Sequence, residues 1–80
     1  MDEPLARLTI STAARSAREL GDLVPTLKAG CDAALHARVL HGIGSAIHEI
    51  YESVLGPVFA EFPALKAEFD RNLDGFGRRD

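Results

Sequence analysis

The sequence predicts an all-α protein, a small three- to four-helix bundle with a long central helix that pairs with a second copy. Apolar residues recur at steps of three and four along nearly the whole chain, and no stretch keeps an apolar and polar alternation. Glycine and proline divide these periodic stretches into helix-sized segments. With 80 residues the chain forms one domain, residues 1–80, and buries only about 60% of its unfolded surface, so a second copy would add stability.

Composition narrows the class of protein. A hydrophobic fraction of 46% and a charged fraction of 26% fall in the ordinary globular range. The net charge of -3 disfavours a nonspecific nucleic-acid or anionic-membrane surface. The only cysteine, Cys31, excludes an internal disulfide and fits a reducing compartment. The acidic start lacks the features of a signal peptide, and no uncharged stretch approaches the roughly 20 residues of a membrane span. We therefore expect a cytoplasmic protein with no membrane contact.

The first helix is predicted over about residues 4–20. Asp2 can accept hydrogen bonds from the first backbone N–H groups, and Pro4 suits the first turn because its missing N–H is not needed there. The helix carries a narrow stripe of mostly small apolar side chains, Ile10, Ala13, Ala17 and Leu20. Small side chains let two helix axes approach each other, so this stripe predicts close packing against another helix.

A short helix over about residues 22–29 and a long central helix over about residues 32–55 follow. Gly30 predicts a left-handed cap at the end of the short helix, and Asp32 predicts an N-cap for the central helix. The Gly56–Pro57 pair predicts the end of the central helix, because glycine weakens a helix and proline breaks it.

The central helix has one apolar sector, about 140° wide on a wheel of about 100° per residue. Its members are Val39, Leu40, Ile43, Ala46, Ile47, Ile50, Tyr51 and Val54. Two glycines in the same helix, Gly42 and Gly44, either serve close packing or mark a kink. At about 36 Å the helix exceeds the diameter of about 30 Å of a compact globule of this size, so we predict a homodimer. The predicted interface consists of His36, Leu40, Ile43, Ile47 and Ile50.

A last helix is predicted over about residues 57–73, followed by a flexible tail over residues 74–80. Pro63 either kinks this helix or starts a new helix after one short turn. All four phenylalanines lie in this last third of the chain and are predicted to contact a partner protein, namely Phe59, Phe62, Phe69 and Phe76. We assign Phe62 and Phe69 a structural role and expect Phe59 and Phe76 to be more exposed.

All three histidines lie on the central helix, where they could bind a metal ion. His41 and His48 share one arc but lie about 10 Å apart along the axis, too far for one ion, and His36 falls within the apolar sector. We therefore predict no metal ligands within a single copy. The alternative is metal or ligand binding through His48 and Glu52, four residues apart, completed by a second copy across a dimer interface.

Residues 22–41 resemble a helix-turn-helix motif, with Ala29 and Gly30 at the turn. The resemblance implies a small DNA-associated regulator whose second helix contacts DNA, and Arg38 is the only arginine on that helix. The segment departs from the motif at His36, where a buried aliphatic residue is expected. The acidic net charge makes nucleic acid the less favoured partner.

Motifs for catalysis or cofactor binding are absent from the sequence. The chain contains no G-x-S-x-G, P-loop, H-E-x-x-H or G-x-G-x-x-G pattern. We therefore predict no catalytic residues, no enzymatic activity and no cofactor. The main prediction is a non-catalytic protein-interaction module that acts as an adaptor, inhibitor or regulatory subunit. Its predicted partners are a second copy of the chain and another protein.

Overall fold

A computed structural model describes residues 1–71, and within this range the chain is helical with no strand, which confirms the all-α prediction. No helix in this range is long and apolar enough to cross a membrane. The helices are α1 (Glu3–Asp22), α2 (Val24–Gly30), α3 (Ala33–Glu49), α4 (Gly56–Glu61) and α5 (Pro63–Arg71), with a π-helical segment over Ile50–Leu55 between α3 and α4. The predicted tail over residues 74–80 and Phe76 lie outside the described residues.

Both predicted N-caps are confirmed, and the predicted left-handed cap is wrong. A carboxylate oxygen of Asp2 accepts the Leu5 backbone N–H at 3.0 Å, and Asp32 accepts the Leu35 N–H at 2.8 Å. Gly30 is the last residue of α2 and has no left-handed conformation. The next residue, Cys31, is extended with φ -124° and ψ 154°. The chain therefore leaves α2 through extended residues that lead directly into the extended N-cap of α3.

The predicted end of the central helix at Gly56 and Pro57 is wrong, because the helical path continues from α3 through the π segment into α4. We call this continuous path, residues 33–61, the rod. Pro57 has no N–H to donate, and in an α-helix its ring would clash with the carbonyl group of Ser53. The wider π turn accommodates this defect, since the Gly56 N–H donates to the Tyr51 carbonyl oxygen five residues back. Neither glycine within α3 interrupts the helix.

The chain leaves the rod at Phe62, so the single predicted helix over residues 57–73 is wrong. Phe62 has φ -128° and ψ 71°, outside the helical region. A residue that precedes proline is sterically pushed away from the α conformation, which explains a break at this position. The alternative that Pro63 starts a new helix is confirmed, and the Leu65 N–H donates to the Phe62 carbonyl oxygen at 2.9 Å to close its first turn.

A small core joins α1, the rod and α5. The N-terminal half of α1 packs against the π segment and α4, and α2 lies against both α1 and α3. The largest fully buried side chains are Ile10 of α1 and Leu55 of the π segment. The buried side chains of the described residues are Ala6, Ile10, Ala13, Ala17, Ile43, Leu55, Val58, Leu65 and Phe69.

Most of the apolar sector predicted for the central helix is not buried by the chain itself. Of its eight members only Ile43 is buried, with 7% of its surface exposed. Leu40, Tyr51 and Val54 remain 42%, 41% and 39% exposed. The reason is geometric: α1 covers one side of the rod, α2 packs against α3, and the short α5 covers only the C-terminal end. No other helix of residues 1–71 lies against the rest of the sector.

Candidate interaction surfaces

A groove of about 460 Å³ lies where the π segment and α4 meet α5, and we call it the aromatic groove. It is lined by Tyr51, Glu52, Gly56, Phe59, Ala60, Lys66, Phe69 and Asp70. Its volume lies within the range of about 300 to 1,000 Å³ that is typical of ligand sites, and its walls are largely apolar with a few charged groups.

Two phenylalanine rings form the base of the aromatic groove. The ring centroids of Phe59 and Phe69 lie 5.4 Å apart with the ring planes inclined by 47°, an arrangement favoured by the quadrupoles of aromatic rings. Phe69 is buried and belongs to the core, whereas Phe59 is half-buried and Tyr51 is exposed. Phe59 and Tyr51 are therefore the aromatic side chains that another molecule can reach.

Charged groups of both signs border the aromatic groove. The Lys66 ammonium lies 5.9 Å from the centroid of the Phe59 ring, within cation–π range, and also contacts an Asp70 carboxylate oxygen at 2.7 Å. Glu52 adds a second carboxylate on the opposite wall. Two carboxylates against one ammonium leave the groove with an excess of one negative charge, which favours a partner that presents a positive group.

A second groove, of about 430 Å³, runs between α1 and the rod, and we call it the apolar groove. It is lined by Leu8, Thr9, Thr12, Ala13, Ser16, Ile50 and Val54, none of which is charged. Leu8 is 62% exposed, the largest exposed fraction among the large hydrophobic side chains of the described residues. A surface of this composition resembles the centre of a protein interface, from which charged residues are depleted.

A third, polar depression lies on α3 around Gly44. It is lined by His41, Gly44, Ser45, His48 and Glu49. Glu52 lines the aromatic groove instead. The two side chains of the proposed metal pair thus line different surfaces. Among residues 1–71 no three side chains of histidine, cysteine, aspartate or glutamate lie close enough to hold a metal ion.

The residues of the predicted dimer interface lie in several environments. Ile43 is buried within the chain, and Leu40 is exposed. His36, Ile47 and Ile50 are half-buried, and Ile50 also lines the apolar groove. The Nε2 atom of His36 is buried and has no hydrogen-bond partner among the described residues. A single copy does not test this interface, so it remains a prediction.

The predicted partner-binding phenylalanines also lie in different environments. Phe59 lines the aromatic groove, Phe62 packs half-buried against the core and Phe69 is buried in it. Sequence reasoning missed Tyr51 and Lys66 as members of this groove. Their place depends on the π turn and on the reversal at Phe62, neither of which has a periodic signal in the sequence.

The groove-lining face of α1 was also missed, although a signal for it was present. Leu5 and Leu8 lie away from the stripe of small apolar residues on the wheel of α1 and so predict a second apolar surface.

For the helix-turn-helix alternative, α2 and α3 are joined by the two residues Cys31 and Asp32, and Arg38 is exposed. Binding to DNA remains a prediction.

Comparison with known proteins assigns no family to the chain. No protein-family model matches it, and no curated protein or solved structure matches it either. What characterises residues 1–71 is an all-helical fold that carries an aromatic groove and an apolar groove of different chemistry.

Proposed function

We propose that the chain is a non-catalytic protein-interaction module that acts as a homodimeric helical bundle and binds another protein as an adaptor, inhibitor or regulatory subunit. The observation that carries this proposal is the apolar surface that the chain leaves uncovered. The exposed large hydrophobic side chains of the described residues are Met1, Leu5, Leu8, Leu23, Leu35, Leu40, Tyr51 and Val54. Leu8 and Val54 of this set line the apolar groove together, and grouped exposed apolar residues are typical of interaction surfaces.

The small core supports self-association. Among residues 1–71 only two large side chains, Ile10 and Leu55, are fully buried, and α2 contributes no buried residue. A domain of this size is marginally stable, at about 0.05 to 0.15 kcal/mol per residue. Burial of exposed leucine and valine surface against a second copy stabilises the fold by about 25 cal/mol for each Å² removed from water. A homodimer thus supplies apolar burial that the single chain lacks.

The aromatic groove is the proposed surface for a different protein. Tyrosine and other aromatic side chains carry much of the affinity in protein interfaces because they bury a large area at a small cost in conformational entropy. Tyr51 and Phe59 can serve as such anchors, while Glu52 and Asp70 favour a positively charged group on the partner.

The lone Cys31 suits a reducing compartment, and we propose the cytoplasm as the location.

Sedimentation equilibrium over a concentration series tests the homodimer. We expect a reversible monomer–dimer equilibrium in the wild-type chain and a shift toward monomer in Leu8→Glu. Leu8 lines the uncharged apolar groove, and a carboxylate there would have to lose its hydration when a second copy covers the groove. Ser45→Glu, on the polar depression of α3, serves as the matched control and is expected to keep the wild-type equilibrium. A compact monomer throughout the series would contradict the homodimer.

Affinity capture from the native cell tests binding to another protein. We expect a defined partner that is retained by the wild-type chain and by Ser45→Ala, on the polar depression of α3, and that is lost when Phe59→Ala removes an anchor of the aromatic groove. Circular dichroism has to show wild-type helix content in both variants. A partner captured equally by the wild-type chain and Phe59→Ala would remove the groove from the proposal.

A further inference from the structure

We propose that two copies of the chain pair through the apolar groove, with their α1 helices antiparallel and Thr12 of each copy at the two-fold axis. This inference rests on the homodimer proposed above and specifies its surface and geometry. The interface predicted from the sequence is centred on α3, where Ile43 is already buried within the chain. The apolar groove instead offers an open face on α1 itself.

The chemistry of this face suits burial against an identical face. Leu5, Leu8, Thr12 and Ser16 fall within an arc of about 80° on the wheel of α1, so they lie along one side of the helix. The Thr9 hydroxyl donates a hydrogen bond to the Leu5 carbonyl oxygen at 2.8 Å and therefore already has a partner within the helix. The groove lining contains no charged side chain, so burial of the groove itself requires no desolvation of an ion. The exposed Glu19 falls on the same arc of α1 at the end of the contact, where its carboxylate stays at the solvated rim beside Leu5 of the other copy.

The other sides of α1 are already in use. Ala6, Ile10 and Ala13 face the core, and Arg7 holds the Glu68 carboxylate of α5. The groove-lining side is thus the apolar side of α1 that no element of residues 1–71 covers, and the exposure of Leu5 at 48% and Leu8 at 62% reflects this.

Side-chain size determines the direction of pairing. The large side chains of this face, Leu5 and Leu8, lie in the N-terminal half of α1, and the small Thr12 and Ser16 lie beyond them. Antiparallel pairing centred on Thr12 places Leu8 of each copy opposite Ser16 of the other copy, so a large side chain meets a small one. Parallel pairing would place Leu8 against Leu8 and Ser16 against Ser16. Antiparallel helix dipoles also attract each other, whereas parallel dipoles repel.

The area of the contact indicates its strength. From Leu5 to Glu19 α1 rises about 21 Å, and α1 with the adjoining rod presents a face about 20 Å wide, which gives a footprint of about 400 Å². A standard interface removes about 800 Å² of accessible surface from each partner. We therefore expect a weak, concentration-dependent dimer in the micromolar range rather than a permanent one.

Disulfide trapping of single-cysteine variants tests the geometry. In a Cys31→Ser background, Thr12→Cys places two thiols next to the two-fold axis, within the Cα separation of about 4.4 to 6.8 Å that a disulfide requires. Ser16→Cys places its two thiols about 12 Å apart along the axis, beyond that limit. We expect rapid disulfide-linked dimers from Thr12→Cys and none from Ser16→Cys alone, with Ser45→Cys as the surface control. A mixture of Leu8→Cys and Ser16→Cys chains is expected to form the mixed dimer.

The outcomes separate this inference from the homodimer itself. If the wild-type chain sediments as a dimer but Thr12→Cys is trapped no faster than Ser45→Cys, the groove geometry is wrong and the homodimer stands. If Ser16→Cys is trapped alone as fast as Thr12→Cys, the pairing is parallel and the inference is overturned. If the wild-type chain remains monomeric and Leu8→Glu instead weakens binding of a different protein, the groove belongs to that protein and both proposals fail.

Discussion

Arg7 of α1 holds Glu68 of α5 through two parallel hydrogen bonds, from Nη1 to Oε2 at 2.8 Å and from Nη2 to Oε1 at 2.9 Å. The Nε atom of the same guanidinium donates to Glu3 at 3.0 Å. The planar guanidinium matches a carboxylate in this two-point geometry, which fixes orientation as well as distance. The contact joins residues 61 positions apart in the sequence and ties the nine-residue α5 back onto α1.

Loss of this ion pair is expected to loosen α5. A helix of nine residues is not stable alone in water, so α5 depends on its docking contacts. Arg7→Lys keeps the charge but cannot make two parallel hydrogen bonds, and we expect faster amide exchange in α5 with a lower midpoint of thermal unfolding. Lys66→Gln removes the exposed Lys66–Asp70 pair as a control and is expected to have a smaller effect. Equal effects of the two variants would contradict a special role for Arg7.

The same contact predicts a dependence of stability on pH. The hydrogen bonds from Arg7 lower the pKa of the Glu68 carboxyl below its ordinary value of 4.5. Because the folded-state pKa is lower than the unfolded one, Glu68 contributes stability above pH 4.5 and loses it as the pH falls through the folded-state pKa.

Replacement of the carboxyl group isolates this contribution. Glu68→Gln is expected to be less stable than the wild-type chain at neutral pH and to approach it as the pH falls below 4.5. Urea unfolding at a series of pH values measures the difference. A stability difference that stays constant through the acid range would show that Glu68 acts by packing rather than by its charge.

The local signals of the sequence predicted the helices more accurately than their ends and contacts. The caps at Asp2 and Asp32 were predicted because a carboxylate next to exposed backbone N–H groups acts within one turn. The continuation through Gly56 and Pro57 was not, because it depends on a π turn, which has no periodic signal in the sequence. The Arg7–Glu68 contact joins distant parts of the chain and has no local pattern.

The apolar pattern likewise identified surfaces but not what covers them. The sector of the central helix was correctly seen as apolar, yet its exposed members, such as Leu40 and Tyr51, show that periodicity alone does not reveal how many helices are present to bury it. Prediction of the aromatic groove also required knowledge of the reversal at Phe62, which brings Phe69 of α5 against Phe59 of α4.

Two glycines of the rod, Gly44 and Gly56, are expected to differ in how much stability they gain on replacement by alanine. A Cβ atom at Gly44 would meet no heavy atom within 4 Å, whereas one at Gly56 would lie 3.4 Å from the Tyr51 carbonyl oxygen. Gly44→Ala is expected to stabilise the chain by about 0.5 to 1 kcal/mol through higher helix propensity. Gly56→Ala is expected to gain less stability, because the new Cβ atom would lie close to the Tyr51 carbonyl oxygen. Thermal unfolding of both variants measures this, and a larger gain at Gly56 would contradict the geometry of the π turn.

Truncation of two leucines separates the core from the uncovered surface. Leu55 is fully buried, whereas Leu40 is 42% exposed. Leu55→Ala is expected to cost about 2 to 5 kcal/mol through lost burial and the cavity that remains, which is a large part of the stability of a domain this small. Leu40→Ala is expected to cost less than about 1 kcal/mol in the monomer. Denaturant unfolding at low protein concentration gives both values, and similar costs would show that Leu40 is buried in solution.

Pro57 is expected to be the cause of the π segment. With Pro57→Ala the backbone regains an N–H that can donate to the Ser53 carbonyl oxygen four residues back, and the clash of the proline ring disappears. We expect the segment over Ile50–Leu55 to tighten toward an α-helix, with a protected amide at position 57. The tighter turn would rotate Tyr51 relative to Phe59 and change the shape of the aromatic groove.

Nuclear magnetic resonance measures this change directly, from exchange of the new amide and from the chemical shifts of the Tyr51 ring. Pro25→Ala is the matched control, since Pro25 lies in the first turn of α2, which packs against α1 and α3, and contributes nothing to the π turn. The rings of Tyr51 and Phe59 are expected to keep their wild-type shifts in that control. If Pro57→Ala also leaves the Tyr51 shifts unchanged and amide 57 unprotected, the π turn is held by the burial of Leu55 against Ile10 and Ala6, and the proline only occupies a turn that core packing has already widened.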